Sequence, residues 1–477
     1  MATKAVVLAA GEGTRLRPLT FTRPKPLIPL GPNPSIYYLL THLAREGFDD
    51  IVMVVGGPLK GQIMDYLGDG SRLGLRITYA VEPDGLRIGS AGSLKLDEHL
   101  LDDTFLVAQA DTLTEIPLRE AVNRHRAGGG HATIVLTRMR DASGFGVAVL
   151  DSDNVITEFQ EKPVQKDARS NLVSTGFYIM EPDSLDYIAD EKWDFARDLF
   201  PCFLKLHKKL SGFTSDSFWV DIGSLEGYLR GVRWVVERTT QPNGSAAGVP
   251  GCVITDGEVR IGRRAQVTGP GIIEREVTIE DEAKIRQYCV VMRNAHVSSG
   301  TVVDRSVLME RSFVGRNCTV IDSVIGQSAI LQGSVTVKGS IIGPGSVIGE
   351  GAEVLSGSRV WPNVRIRADE IVNGIVAAPL EKAFYFYIGF GQYTGLLAST
   401  VEGFIDGLEK VPVESIEFHA KRRDFERWTR DVMASNELAD SIEDLRRMAV
   451  TGEELRKGII EVTTQWADEV SKPRKNP

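Results

Sequence analysis

The sequence predicts a chain in three parts, led by an α/β domain with a mostly parallel sheet. Three changes of texture carry that expectation. Over residues 1–237 short apolar runs alternate with helical patterns. Over 252–373 the helical period vanishes, and isoleucine-glycine or valine-glycine pairs recur instead. From 374 to 477 helical periods return behind a densely aromatic stretch. At 477 residues the chain is too long for one ordinary domain, and about three is the natural expectation.

The first part reads element by element. Val6 to Ala10 is a short apolar run that predicts a buried strand, and residues 36–47 (IYYLLTHLAREG) predict a helix. DIVMVV (50–55) and FLVAQAD (105–111) predict further strands. Residues 116–129 predict a helix, followed by a strand over 132–137. Strands alternating with helices predict a parallel sheet covered on both faces. Residues 238–251 (RTTQPNGSAAGVPG) are polar, rich in Gly, Pro and Ser, and read as a linker.

In the second part the pairs Ile261-Gly262, Val314-Gly315, Ile325-Gly326, Ile342-Gly343 and Ile348-Gly349 recur. The last four are spaced by 11, 17 and 6 residues, at or one short of multiples of six. This resembles the hexapeptide repeat of a left-handed parallel β-helix, with about 18 residues per coil and roughly six coils. The third part starts with FYFYIGFGQYTG (384–395) and predicts a small helical domain. Helix starts are expected at Asn436 and Thr451, the latter resembling a capping box, and the final SKPRKNP reads as a frayed tail.

Composition excludes several classes. A net charge of −9 argues against general nucleic-acid binding. No apolar run approaches the roughly 20 residues that span a membrane, and the N-terminus reads as a strand and not a signal peptide. Cys202, Cys252, Cys289 and Cys318 lie far apart without a CxxC pair, which fits small buried residues in a reducing cytoplasm.

The chemistry is concentrated after the first strand. Gly11 and Gly13 let backbone N–H groups converge on an anion, and Arg15 and Lys25 add fixed positive charge. The loop leaves the C-terminal edge of a strand, where ligands bind in open α/β sheets. Neither a dinucleotide fingerprint nor a kinase-type P-loop is present. Two aspartates stand out downstream. Asp111 ends an apolar run, where a carboxylate is costly unless paired or bound to a cation. Asp221 lies in FWVDIGSLEGYL.

The whole string Gly11-x-Gly13-Thr14-Arg15-Leu16-x-Pro18-Leu19-Thr20, followed by Pro24-Lys25-Pro26, resembles the signature of the sugar-1-phosphate nucleotidyltransferases. The resemblance runs in the family's order over residues 4–236. It implies that Ala10, Gly11, Gly13 and Thr14 hold the nucleotide, and that Arg15 supports the β- and γ-phosphates. Lys25 would approach those phosphates from the other side. Asp111 and Asp221 would bind Mg²⁺, a hard cation suited to carboxylate and phosphate oxygens. Gly89-Ser90-Ala91 resembles the segment over the nucleoside, with Glu82 as a base or ribose contact.

On the sugar side, Phe159-Gln160-Glu161-Lys162-Pro163 resembles the F-x-E-K-P motif, implying sugar hydroxyls on Glu161 and the sugar's phosphate on Lys162. Thr175, in LVSTGFY, and Gly146 complete the implied sugar-phosphate set. The resemblance departs at Ala110, where glycine is common, and at Ser174, where many members carry asparagine.

The reaction implied is nucleotidyl transfer from an NTP to a hexose-1-phosphate, with mannose-1-phosphate and GTP the leading pair. Glucose-1-phosphate with UTP or dTTP is the alternative. A second activity, N-acetylation of an amino-sugar phosphate with His296 as base, and a non-catalytic sensor role are the rival readings. A cytoplasmic homo-oligomer is expected, with no nucleic-acid or membrane partner.

Overall fold

The structure, a computed structural model, describes residues 3–83, 88–240, 252–254, 257–376, 378 and 382–471. The chain divides into two compact units. One comprises the residues up to Gly13 together with Thr22–Gly231; the other comprises Thr14–Phe21 and the chain from Val232 onward.

The first unit is built on strands β1 (Ala5–Leu8), β2 (Asp50–Val55), β3 (Arg76–Val81), β4 (Phe105–Gln109), β6 (Ala132–Arg138), β9 (Leu172–Met180) and β10 (Leu210–Thr214). Their order across the sheet is β10-β6-β9-β4-β1-β2-β3. β1 runs parallel to β2 and β4, β2 to β3, and β10 to β6; β9 runs antiparallel to both its neighbours. The expectation of a mostly parallel sheet is met. Strands β7 (Gly146–Leu150) and β8 (Ile156–Glu161) form a hairpin attached to β9.

Successive residues of the central strands feed different cores, which is why these strands read as continuous apolar runs. Val7, Met53 and Ala108 join Leu39, Leu40 and Leu43 of helix α1 (Ser35–Arg45) in one cluster. Helices α2 (Lys60–Leu67) and α4 (Leu118–Gly128) cover the same face through Ile63 and Val122. Val6, Val54 and Val107 join the opposite cluster with Leu94 of helix α3 (Gly92–Leu96) and Phe203 of helix α5 (Phe200–Lys205). A two-stranded antiparallel ribbon, β5 (Thr112–Thr114) against β11 (Trp219–Asp221), stands apart from the main sheet.

Helix α6 (Leu225–Thr239) carries the chain past the expected start of the linker at 238, because its apolar stripe continues to the last turn. Residues 241–251 lie outside the described residues.

In the second unit, three parallel sheets of seven or eight very short strands form a parallel β-helix. Partners recur as Thr278, His296, Phe313, Ile330 and Val347, a step of 17 or 18 residues per coil. Ile279, Val297, Val314, Leu331 and Ile348 stack inside as a buried column. A coil buries its apolar column only against its neighbours, so the stack is stable as a set and not coil by coil. The stacking runs three residues past the expected boundary, because Ile375 and Val376 pair with Arg359 and Val360.

The aromatic stretch is a β-hairpin, Phe384–Gly389 against Gln392–Ala398, set ahead of the expected helices. Its alternation explains this: Phe384 and Phe386 point inward while Tyr385 and Tyr393 are exposed. Helices α7 (Val401–Lys410), α8 (Val413–Lys421), α9 (Asp424–Asp431), α10 (Asn436–Arg447) and α11 (Gly452–Ser471) follow. The start of α10 is capped by Ser435, whose Oγ accepts from Leu438 N at 3.2 Å. These helices share one core with the β-helix: Trp361 and Val376 cluster with Phe404, Trp428 and Val470, and Trp361 Nε1 donates to Met433 O at 3.2 Å. The expected division at 373/374 therefore does not separate two hydrophobic cores. The SKPRKNP tail lies outside the described residues except for Ser471.

Candidate active site

The carboxyl edge of the sheet collects the charged groups of the first unit. Asp111 lies two residues past the end of β4, and Asp221 is the last residue of β11. The β5–β11 ribbon holds them side by side: Asp221 is the register partner of Thr112, and Ile222 N donates to Asp111 O at 3.0 Å. Two residues 110 positions apart thus become neighbours through three backbone pairs. Lys25 joins them. Its side chain is 9% exposed, and its Nζ makes ion pairs with Asp111 Oδ2 and, at 3.6 Å, with Asp221 Oδ1. Burying that ammonium is tolerable because two carboxylates face it.

Trp219 fixes the ribbon against the sheet. Its Nε1 donates to Thr175 O at 2.9 Å, and its ring packs edge-on to Phe145 at 5.6 Å. Gly223 N donates to Asp221 Oδ1 at 2.6 Å, which orients that carboxylate. Sequence reading took Asp221 from the FWVD string and passed over Trp219. The signal was present in the same four letters.

Among the described residues, no group of three or more His, Cys, Asp or Glu side chains gathers as a metal cage. Asp111 and Asp221 supply hard oxygen donors from one side only. That suits a cation that completes its shell with phosphate oxygens and water.

The sugar-side motif sits on the β7–β8 hairpin. Glu161 is the cross-strand partner of Gly146. A Cβ at Gly146 would lie 2.4 Å from Phe159 Cζ and 3.4 Å from Glu161 Oε2, so the missing side chain is needed for packing beside the carboxylate. Lys162 Nζ lies 3.5 Å from Glu161 Oε1. Its backbone takes the left-handed conformation, φ +48°, with its N–H donating to Phe145 O at 3.0 Å. That conformation costs a non-glycine residue energy and concentrates at functional sites.

Thr175 lies on β9. Its side chain is 1% exposed, and its hydroxyl donates to Val135 O at 2.8 Å. The hydroxyl is therefore a sheet contact. Next to it Gly176 (φ +80°) marks a break in the β6–β9 register, where a Cβ would meet Gln109 Cγ at 2.7 Å. Tyr178, buried on the same strand, hydrogen-bonds Ser174, and burial pushes its phenol well above the usual range.

On the nucleoside side, Glu82 follows β3 and accepts a hydrogen bond from Ser93 Oγ at 2.5 Å; burial holds its carboxyl above the ordinary glutamate value. The Gly89–Ala91 segment is committed to the protein. Gly89 N donates to Glu191 O at 2.9 Å and Ala91 N to Trp193 O at 3.0 Å. Ser90 Oγ donates to Asp194, and the Ala91 methyl is fully buried. A Cβ at Gly89 or Gly92 would strike the backbone of residues 191–193 within 2.5 Å. Close backbone packing against residues 191–193 thus requires glycine at 89 and 92.

Ala10 and Gly11 follow β1 at the same edge of the sheet, and a Cβ at Gly11 would meet nothing within 4 Å. Gly13 takes φ +65°. Thr14 and Arg15 open a one-turn 3₁₀ helix, Thr14–Leu16, which groups with the second unit. His296, in the β-helix, is hydrogen-bonded to Glu280 at 2.9 Å and stacked on Phe313 at 5.0 Å. No helix of the described residues is long and apolar enough to cross a membrane.

Comparison with known proteins agrees with this geometry. Residues 4–237 match the family model described as nucleotidyl transferase. A protein of Synechocystis sp. named UTP–glucose-1-phosphate uridylyltransferase is 35% identical over 338 residues, 68% of this chain and 87% of its own. Proteins named mannose-1-phosphate guanyltransferase from Debaryomyces hansenii and Pichia angusta are 36% and 31% identical. The first match covers 48% of this chain and 63% of the relative; the second covers 66% and 88%. The chain belongs to the nucleotidyl transferase family, among its sugar-1-phosphate nucleotidyltransferases.

Proposed function

We propose that this enzyme transfers a nucleotidyl group from GTP to mannose-1-phosphate, using Mg²⁺ held by Asp111 and Asp221. The observation that carries the reading is the Lys25 ammonium set between those two carboxylates. In the reaction a sugar-phosphate oxygen attacks the α-phosphorus, a new P–O bond forms, and the α–β bridging P–O bond breaks to release pyrophosphate. Such transfers need positioning and charge stabilisation more than covalent help. Lys162 would hold the sugar's phosphate in line and Glu161 would accept its hydroxyls. Lys25 and Arg15 would meet the charge that builds on the departing pyrophosphate. Gly11 and Gly13 would let the loop backbone approach the triphosphate. Bound magnesium supplies Lewis-acid neutralisation of the α-phosphate.

Glucose-1-phosphate with UTP is the second reading, favoured by the 35% identity to the Synechocystis protein. A matrix of NTPs against hexose-1-phosphates, read as pyrophosphate release with Mg²⁺, separates the two. No release from any pair would leave the sensor role. Asp111→Asn and Asp221→Asn are each expected to lower kcat by orders of magnitude; near-normal turnover in both would remove the metal assignment. We also infer a cytoplasmic homo-oligomer, testable by sedimentation of the full chain.

A further inference from the structure

A cavity of about 650 Å³ opens in the second unit, built wholly from residues 383–432. None of its lining belongs to the nucleotidyl transfer site. Its volume is in the range of small-molecule sites, and its walls combine aromatic faces with a few convergent polar groups. Phe384, Tyr387, Phe390, Phe418 and Trp428 supply the aromatic faces.

The polar groups form a connected set. Tyr387 N–H donates to His419 Nε2 at 2.8 Å, so the other ring nitrogen, Nδ1, carries the proton and donates to Asp424 Oδ2 at 2.8 Å. Asp424 also accepts from Arg422 Nε at 3.0 Å and from Arg427. The carboxylate thereby holds both guanidiniums in the lining of the cavity. Each guanidinium has five N–H donors and spends few of them here. Arg422 lies over the rings of Phe390 and Phe418, 5.0 and 5.3 Å from their centroids. Phe390 itself is 84% exposed, so much of its aromatic surface remains open to solvent beside the Arg422 guanidinium.

We propose that this cavity is a second nucleotide site, taking a nucleoside di- or triphosphate with its base on the aromatic walls and its phosphates on Arg422 and Arg427. An apolar ligand would leave the two guanidiniums unused, and inorganic phosphate would leave the aromatic faces wet. A nucleotide satisfies both sets at once, through stacking and through bidentate guanidinium–phosphate contacts. Neither the substrate assignment nor the metal site enters this argument.

The test is equilibrium dialysis of the full chain against labelled GTP, UTP and GDP without divalent cation, so that turnover does not intervene. The wild-type chain is expected to show one nucleotide site beyond the substrate site, with that extra site weakened in Arg422→Ala and Phe390→Ala. Phe390→Ala is expected to weaken that extra site by about 5- to 150-fold, the range for loss of one base stack. Phe390→Tyr should retain it. Identical binding isotherms in wild type and variants overturn the proposal. So does a change in the sedimentation mass of the variants with unaltered nucleotide uptake, which would mark the aromatic face as an interface with a second copy of the chain.

Discussion

Replacing Lys25 with methionine keeps the side chain's length and removes the ammonium that touches both Asp111 and Asp221. At 3.6 Å and an effective dielectric near 20, one such ion pair carries about 4–5 kcal/mol of Coulomb energy before desolvation. The carboxylates retain 26% and 15% exposure, so water replaces a good part of what is lost. The methionine also escapes the cost of burying a charge. A net loss of about 2–3 kcal/mol is expected, at the lower edge of values for stranding a buried partner. In a domain of this size that is about 4–10 °C in melting temperature. The measurement is calorimetry of the full chain in EDTA, repeated with MgCl₂. Magnesium should restore more stability to the variant than it adds to the wild type, because two uncompensated carboxylates bind a cation more tightly. Pyrophosphate release should fall by about a hundredfold or more, as when a charge-stabilising donor is removed. Equal melting temperatures in EDTA, together with unaltered turnover, would refute the reasoning.

Three further changes test other parts of the site. Gly92→Ala would place a methyl 1.8 Å from the Glu191 carbonyl oxygen, and a stability loss of about 1–3 kcal/mol is expected, read as a lower urea midpoint; an unshifted midpoint would show that the backbone yields freely. Lys162→Gly and Lys162→Ala should both raise KM for the hexose-1-phosphate. The glycine variant should be the more stable by about 1 kcal/mol because φ +48° suits it, and equal stability would argue against backbone strain there. Burial raises the Glu82 pKa, so the folded state favours its protonated form, and that contribution is lost as pH rises through the folded value. Glu82→Gln should therefore be more stable than wild type at about pH 7 and lose the advantage near pH 4. A melting difference that does not vary with pH would count against the burial argument.

Much of the site was legible because its motifs are local. Gly11 to Arg15, Lys25, Glu161 and Lys162 each lie in short strings whose residue types carry their chemistry. Asp111 was legible as a carboxylate ending an apolar strand. Other roles depended on partners distant in sequence. Nothing near Gly89 predicts the backbone of Glu191 and Trp193 that requires its missing side chain. Nothing near Thr175 predicts that its hydroxyl donates to Val135 O, 40 residues earlier.

The amino-acid sequence by itself determined the order of architectures, since periodicity is a local property: a doubly covered sheet, a coil repeat, then helices. It also marked Arg15, Lys25, Asp111 and Asp221 as candidate charged residues. Tertiary structure alone decided that Asp111 and Asp221 lie next to each other with Lys25 between them, because a three-pair ribbon joins segments 110 residues apart. It likewise decided that the aromatic run 384–395 forms a hairpin and that Arg422 and Arg427 converge on Asp424. Long-range pairing and burial are set by the whole packed chain, and no short window of residues contains them.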